Sequence, residues 1–178
     1  MQSIEHLPTA DHFITHARKM RDILNLFPRG VGPLLLVIDP GDPPEAVLAM
    51  VLQLAERWYP QITLLHGGKL RSSDRAAGGS DRDDLVDLLC FAWELKNHYS
   101  GLSISRHIMH SWRQLLAEAS ERKADVILIP EELAAGLQRP GLAALETGDC
   151  SLPCPIVILT AADADWPNDN VDIELLSD

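Results

Sequence analysis

The sequence predicts an α/β protein in which a parallel sheet carries helices on both faces. Four short runs are rich in Leu, Ile and Val and contain one polar residue among them, Thr63: Leu34–Ile38, Ile62–Leu65, Val126–Ile129 and Ile156–Leu159. Such runs are typical of strands that are covered on both faces. The segments between the runs are long enough for a helix and a right-handed return, which indicates βαβ units.

The composition favours one globular domain and excludes several classes of partner. The 178 residues suffice to bury a substantial core, and 46% of them are hydrophobic. A net charge of −11 makes nucleic acid and anionic membranes unsuitable partners. The sequence has no signal-peptide pattern and no apolar run of membrane-span length, and its three cysteines form no paired framework, so we expect a cytoplasmic protein.

Residues 1–30 are predicted to form a helical extension ahead of the sheet. Thr9 or Asp11 is a suitable N-cap, and a Pro-Arg-Gly sequence ends the helix. His12 and His16 share a side of this helix, but the sequence places no third metal ligand nearby, so we expect both to be solvated. Apolar residues recur at the spacing of one helical face: Phe13, Ala17, Met20, Leu24 and Phe27.

Two further helices follow the first two strands. The first runs from about Pro44 to Tyr59 and is apolar around most of its surface. Residues 67–82 carry Gly, Ser, Asp and Arg with almost no apolar content, which predicts a long loop. The second helix begins at Ser80 or Asp81, and its predicted buried stripe is Leu85, Leu88, Leu89, Ala92 and Leu95.

The second half of the chain continues the alternation of strands and helices. Leu102–Ser105 alternates apolar and polar residues, which predicts a half-exposed strand at a sheet edge. Helices are predicted from about Met109 to Lys123 and over residues 141–147. Residues 161–178 carry six acidic residues and no basic one, and we predict disorder there, although the alternation of Val171–Leu175 also suits pairing with a sheet edge.

The cysteines and tryptophans are predicted to be packing residues. Cys90 and Cys154 suit a helix and a buried strand as small apolar side chains. Cys150 and Cys154 form a C-x3-C sequence, for which a reversible disulfide is the alternative. Trp166 follows the last strand and is a candidate anchor of the tail on this subunit or its partner. The remaining three tryptophans lie on predicted helices and are expected to pack: Trp58, Trp93 and Trp112.

Taken together, these segments resemble the universal stress protein (UspA-like) family over about residues 33–160. The resemblance begins with a strand that ends in Asp39 and continues with a second strand followed by His66. It ends with Ala124-Asp125 before the fourth strand and Cys154-Pro155 before the last. It implies a three-layer sandwich of the adenine nucleotide alpha hydrolase-like type, with a five-stranded parallel sheet of order 3-2-1-4-5. It also implies homodimers, which are often joined through the fifth strand.

The same resemblance implies three segments of the chain and a position for a bound nucleotide. It implies an N-terminal helical extension at 1–30, a universal-stress-protein-like domain at 31–160 and an acidic tail at 161–178. ATP-binding members carry a glycine motif between strands 1 and 4. It consists of a glycine, two residues, a second glycine, nine residues and then glycine followed by Ser or Thr. These glycines let backbone N–H groups approach the phosphates. The positions of this chain that the resemblance assigns to that site are Asp39, Gly67, Pro130, Gly136, Gly141 and Gly148.

The glycine pattern is broken in this chain. Pro130-Glu131-Glu132 stands where a glycine opens the family's loop, four residues separate Gly136 from Gly141, and six separate Gly141 from Gly148. Asp149 then stands in place of Ser or Thr. These substitutions put carboxylates where a triphosphate would lie, so we predict no ATP binding in the usual way. ATP or AMP with a magnesium ion that bridges carboxylates and phosphates is the alternative.

The sequence therefore predicts a homodimeric, stress-linked regulatory protein that acts by binding and not by turnover. Asp39 has two interpretations of equal weight, as a nucleotide contact or as an acceptor of N–H bonds in the turn after its strand. His66 is predicted to be structural, because no nucleophile is placed beside it. Two alternatives stay open: a nucleotide-binding protein with slow hydrolysis, and a protein-interaction module that uses the N-terminal helix or the acidic tail.

Overall fold

The protein folds as an α/β domain around a six-stranded parallel sheet. The structure is a computed structural model, and it describes residues 14–40, 45–70, 81–97, 99–134 and 152–160. The strands lie in the order β1-β6-β5-β2-β3-β4, and each neighbouring pair is parallel. Their bounds are β1 (Ile14–Ala17), β2 (Leu34–Ile38), β3 (Ile62–His66), β4 (Leu102–Ile108), β5 (Val126–Pro130) and β6 (Ile156–Leu159).

Helices cover both faces of the sheet, as predicted. Alternate residues of β2 point to opposite faces, so Leu36 packs with α1, α2 and α3, whereas Leu35 and Val37 pack with α4 and α5. None of the helices within the described ranges has the length and apolar character needed to span a bilayer. Their bounds are α1 (Met20–Leu26), α2 (Glu45–Trp58), α3 (Asp81–Lys96), α4 (Trp112–Glu121) and α5 (Glu131–Ala134), with a 3-10 turn at Gly68–Leu70.

The prediction of a continuous N-terminal helix and of five strands is wrong. Ile14–Ala17 form β1, which pairs with β6 and adds an edge strand to the predicted order 3-2-1-4-5. Ala17 is fully buried, and its carbonyl accepts the N–H of Thr160 at 3.0 Å. Ladder hydrogen bonds on an otherwise open edge of β6 outweigh the helical spacing of this segment.

Local hydrogen bonds set where α1 begins and ends. The carboxylate of Asp22 accepts the N–H groups of Arg18 at 2.9 Å and Lys19 at 3.0 Å. These bonds satisfy the backbone N–H groups just before the helix, so α1 begins at Met20. After Phe27 the chain turns at Gly30, whose φ of +83° is the left-handed conformation that glycine favours. The predicted end of this helix is confirmed. The predicted caps and His12 lie outside the described residues, and His16 is an exposed residue of β1 and not of a helix.

The predicted buried stripe of α3 is correct only in part. Leu88, Ala92 and Leu95 are buried, and Phe91 joins them, but Leu89 is 55% exposed. Cys90 and Trp93, which were predicted to pack, are exposed as well. These side chains are exposed because α3 lies over β3 and β4 at the end of the sheet and contacts it along a single face.

The remaining predictions for this part of the fold hold or lie outside the described residues. β4 is an edge strand, as its alternation predicted, and its register with β3 is irregular between Leu64 and His66. At the start of α4, Ser111 Oγ accepts the N–H of Gln114 at 3.3 Å, and Gln114 Oε1 accepts the N–H of His110 at 2.8 Å. The helix therefore begins at Trp112, three residues later than predicted. The helix predicted at 141–147 is not among the described residues.

Candidate functional site

The strand order creates a topological switch point between β2 and β5. The chain continues from β2 to β3 on one side of this point and from β5 to β6 on the other. In open parallel sheets, ligands bind in the crevice outside the carboxyl ends of the strands at such a point. The candidate site is therefore the edge formed by Asp39 after β2, His66 and Gly67 at the end of β3, and Glu131 after β5.

Half of the predicted site residues meet at this edge. Asp39, Gly67 and Pro130 lie at the carboxyl ends of three neighbouring strands, β2, β3 and β5. A Cβ atom added to Gly68 would lie 3.5 Å from Cγ of Asp39, so the carboxyl group of Asp39 lies against the turn that follows β3. The other three predicted positions lie outside the described residues: Gly136, Gly141 and Gly148.

His66 forms the buried base of the site. Its side chain is buried, and Nδ1 accepts the N–H of Gly68 at 3.1 Å. An accepting Nδ1 places the ring proton of the neutral imidazole on Nε2, which lies 3.9 Å from Oδ1 of Asp84 on α3. The backbone carbonyl of His66 also accepts the N–H of Met109 at 2.9 Å. This residue joins β3 to α3 and to the end of β4, in the structural role that the sequence predicted.

Gly67 is held in a close contact between β2 and α5. Its N–H donates to the carbonyl of Ile38 at 2.7 Å. A Cβ atom at this position would collide with the side chain of Val37 and would lie 3.2 Å from Cδ1 of the buried Leu133. Gly67 is therefore required by packing, because a side chain there would force α5 away from the end of β3.

The end of β5 leads directly into a helix. Pro130 is the last residue of the strand, and α5 begins at the next residue, Glu131. Leu133 turns inward against Gly67, while Glu131 and Glu132 are exposed. At this edge, where an ATP-binding loop of the predicted kind would present backbone N–H groups, the chain presents the first turn of α5 and its two carboxylates.

The electrostatic character of the edge follows from these residues. Asp39, Asp84, Glu131 and Glu132 bring four carboxyl groups to the carboxyl ends of the strands or to the helices beside them. His66 Nδ1 accepts the N–H of Gly68, so this nitrogen is not available to donate a hydrogen bond to an anion. An anionic ligand would meet repulsion here, whereas a neutral or cationic group would not.

A second polar cluster lies between β4 and α4. Glu118 is buried, and its Oε1 accepts Nε of Arg122 at 2.6 Å and the hydroxyl of the fully buried Ser105 at 3.3 Å. A pocket of about 440 Å³ opens beside it and is lined in part by His107 and His110. The charge of Glu118 is balanced by Arg122, which indicates a structural network that fixes α4 on β4.

Cys154 is buried before β6, as the sequence predicted. Burial and, to a lesser extent, the carboxylate of Asp125 raise the pKa of the Cys154 thiol to about 11. The thiol is therefore protonated near neutral pH and is a poor nucleophile. Asp125 itself joins the amino ends of the strands, because its Oδ2 accepts the N–H of Gly32 at 2.6 Å. Cys150 lies outside the described residues.

Sequence reasoning missed the outer face of α3. The residues at 86, 89 and 93 form a second apolar stripe beside the buried one, and all three are exposed. The signal was present in the sequence, since the helix has two apolar stripes and a helix at a sheet edge buries only one. The prediction assigned Leu89 to the core because spacing alone does not distinguish the two stripes.

Neither the grouping of potential metal ligands nor comparison with known proteins indicates a function for this chain. Within the described ranges, no three His, Cys, Asp or Glu residues are grouped so as to hold a metal ion. No family model matches the chain, and no curated protein matches it at a significant level.

Proposed function

We propose that this chain is a universal-stress-protein-like regulatory protein that acts by binding and does not use ATP in that family's usual mode. The observation that carries the proposal is the passage of β5 straight into α5, with Leu133 packed against Gly67. This packing fills the opening of the crevice at the point where a phosphate-binding loop would begin. The proposal includes a cytoplasmic homodimer with a role in the stress response.

Charge supports the same conclusion. Glu131 and Glu132 stand in the first turn after β5, and Asp39 lies across the edge. Two unit charges about 4–6 Å apart repel by roughly 1–4 kcal/mol at effective dielectric constants between those of a protein surface and bulk water. A micromolar affinity corresponds to about 8 kcal/mol, so a few such contacts suffice to remove it.

The test is to look for nucleotide in the purified protein and then to titrate it. We expect no nucleotide to be released when the full chain is denatured, and no heat when ATP with magnesium is added to millimolar concentration in a calorimeter. Stoichiometric ATP or AMP would contradict the proposal and would favour the alternative of a nucleotide-binding protein with slow hydrolysis. Asp39→Ala would then show whether the bound nucleotide lies in this crevice.

A matched pair of variants separates charge from shape. Glu131→Gln with Glu132→Gln removes both carboxylates and preserves side-chain size, whereas Glu56→Gln with Glu121→Gln removes two exposed carboxylates of α2 and α4. If repulsion alone excludes ATP, weak binding appears in the first variant and not in the second. If the packing of Leu133 also closes the crevice, as we propose, neither variant binds.

The resemblance implies a dimer that is joined through the fifth strand, but we propose that this protein dimerises through a different surface. β6 corresponds to the family's fifth strand, and it has β1 on one side and β5 on the other. Both of its ladder edges are therefore occupied within one chain. A homodimer of this protein would use another surface, and sedimentation of the full chain and of Ala17 variants that disturb β1 would show whether the dimer depends on this edge.

A second function, that of a protein-interaction module, is favoured by one observation. Three apolar side chains on the outer face of α3 are about half exposed or more, at residues Val86, Leu89 and Trp93. Exposed apolar patches rimmed by polar residues are characteristic of interaction sites.

A further inference from the structure

One side of α3 carries a row of exposed residues that is basic at both ends and apolar in the middle. Trp93 is 73% exposed, Leu89 55% and Val86 49%, and the two basic residues are exposed as well. Spacings of four, three, four and three residues place all five on one side of the helix. We call this set the α3 row: Arg82, Val86, Leu89, Trp93 and Lys96.

The α3 row borders the free edge of the sheet. Leu89 lines an apolar groove of about 480 Å³ together with Leu85, Leu88 and two residues of β4, Ile104 and Ser105. β4 is the outermost described strand on this side of the sheet, so its outer side adjoins this groove. A partner that lies in the groove can therefore pack against the apolar part of the row and also approach the backbone of β4.

Charge disfavours a second copy of α3 as the occupant. If two copies met in an antiparallel pair centred on Leu89, Arg82 of one would face Lys96 of the other. If they met in a parallel pair, each basic residue would face its own equivalent. Both arrangements place like charges opposite each other at both ends of the row, which opposes association.

The C-terminal tail has the opposite character. Residues 161–178 carry six acidic residues and no basic one. Asp172 and Glu174 alternate with apolar residues, so an extended chain here would carry carboxylates on one side and an apolar stripe on the other. The strand it would meet carries Arg106 and His107 and no acidic residue. The apolar stripe of the tail is Val171, Ile173 and Leu175.

The tail is long enough to reach the row within one chain. Thr160 follows β6 at the carboxyl edge, and β4 is four positions further along the sheet. Neighbouring strands are about 4.8 Å apart, so the distance across the sheet is about 19 Å. An extended segment over residues 161–170 spans roughly 33–36 Å. A tail that arrives from the carboxyl edge would run antiparallel to β4.

We propose that residues 171–176 dock on the α3 row and the adjoining groove at the edge of β4. The apolar stripe of the tail covers the apolar middle of the row, and the negative charge of the tail is complementary to the two basic residues at the ends of the row. The acidic residues of α3 lie roughly 100–160° around the helix from the middle of the row, which leaves the row itself free of negative charge: these are Asp81, Asp83, Asp84, Asp87 and Glu94. This docking is independent of the proposed function, because it involves no residue of the carboxyl edge.

Photo-crosslinking of the full chain tests the proposal. Trp93 is replaced by the photoreactive amino acid benzoylphenylalanine, which is also large and aromatic, and the products are mapped by mass spectrometry after irradiation. We expect crosslinks to residues 171–176. In an equal mixture of isotopically light and heavy chains, the crosslinked peptides should carry a single isotope label. The same group at Glu94, on another side of α3, is the matched control and should give no crosslink to the tail.

Three results would overturn the proposal. Crosslinks between light and heavy chains would show that a second copy supplies the occupant. Crosslinks confined to other segments would show that the tail is not the occupant, and no crosslink at all would show that the row is open to solvent. Nucleotide titration decides the proposed function separately, so failure of one leaves the other standing.

A tail variant tests the apolar contact without altering the described fold. Ile173→Asp with Leu175→Asp, in the reporter chain, should lower the crosslink yield by about tenfold or more, since two apolar contacts are replaced by charges. Ser177→Asp adds a charge outside the alternating stripe and should leave the yield unchanged. An unchanged yield in the double variant would overturn the assignment of the apolar stripe.

Discussion

The two edges of the sheet differ in what lies beside them. Beyond β6, the chain adds β1, and Ala17 of that strand is fully buried. Beyond β3, the sheet ends at β4, and the helix above it leaves Trp93 73% exposed. The edge of β6 is thus closed by pairing with β1, which is the outermost described strand on that side, whereas the β4 edge carries a basic and apolar surface beside an open groove.

The difference indicates which surface is available for binding. Edge strands invite pairing with other chains, and proteins commonly cover or blunt them. Here β1 pairs along β6, and the register of β4 with β3 is irregular at His66. The exposed apolar side chains of α3, more than open backbone groups, are therefore the basis of the docking that we propose on the β4 side.

The largest expected effect comes from breaking the closed edge. Ala17→Asp puts a charge at a fully buried position that pairs with Leu159, and we expect a loss of about 4 kcal/mol in the free energy of unfolding. His16→Asp changes an exposed residue of the same strand and should cost less than about 0.5 kcal/mol. Urea denaturation measures both. Equal effects would mean that β1 is not packed as described.

Two neighbouring leucines of α3 test which face of this helix is buried at the open edge. Leu88 is fully buried and Leu89 is 55% exposed. Leu88→Ala should lower the free energy of unfolding by about 3 kcal/mol, because it leaves a cavity in the core. Leu89→Ala should lower it by less than about 1 kcal/mol. A larger loss for Leu89→Ala in the same urea experiment would contradict the exposed placement of the α3 row.

The smallest expected effect concerns the thiol at the closed edge. The pKa of Cys154 is raised to about 11 by burial, so its protonated form favours the folded state. Its contribution is complete below about pH 9 and is lost as the pH rises through 11. By pH 10 the free energy of unfolding should be lower by about 1 kcal/mol than at pH 8.

Cys154→Ala provides the reference for this effect. The difference in the free energy of unfolding between the variant and the natural chain should shrink from pH 8 to pH 10, since the alanine has no proton to lose. Parallel pH profiles would contradict the raised pKa. Cys90, which is exposed on α3, should react with iodoacetamide in the folded protein while Cys154 is protected.

Much of the fold follows from the sequence because four of its strands consist largely of apolar residues. The buried runs at β2, β3, β5 and β6 and the edge character of β4 were all predicted correctly. β1 was missed because Ile14–Ala17 also fit a helical spacing, and only the vacant side of β6 decides between the two. Strand pairing between distant segments is not visible in a local pattern.

The candidate site was predictable in position but not in packing. Asp39, Gly67 and Pro130 follow strands, so the rule for parallel sheets places them at one edge. The contact of Leu133 with Gly67 depends on how closely α5 approaches β3, which no spacing in the sequence expresses. The exposure of Leu89 and Trp93 was missed for a related reason, because the number of neighbours around a helix is a property of the whole fold.

The pairing of β1 with β6 has a consequence for the order of folding. β1 precedes the other described strands in the sequence, and its partner β6 is the last of them. β1 has no other strand neighbour in the described sheet, so it joins only after nearly the whole domain has been synthesised. Pairing across such a sequence separation is slow to form. Until then β1 is unpaired and the edge of β6 is open, and an open strand edge is prone to pairing with other chains.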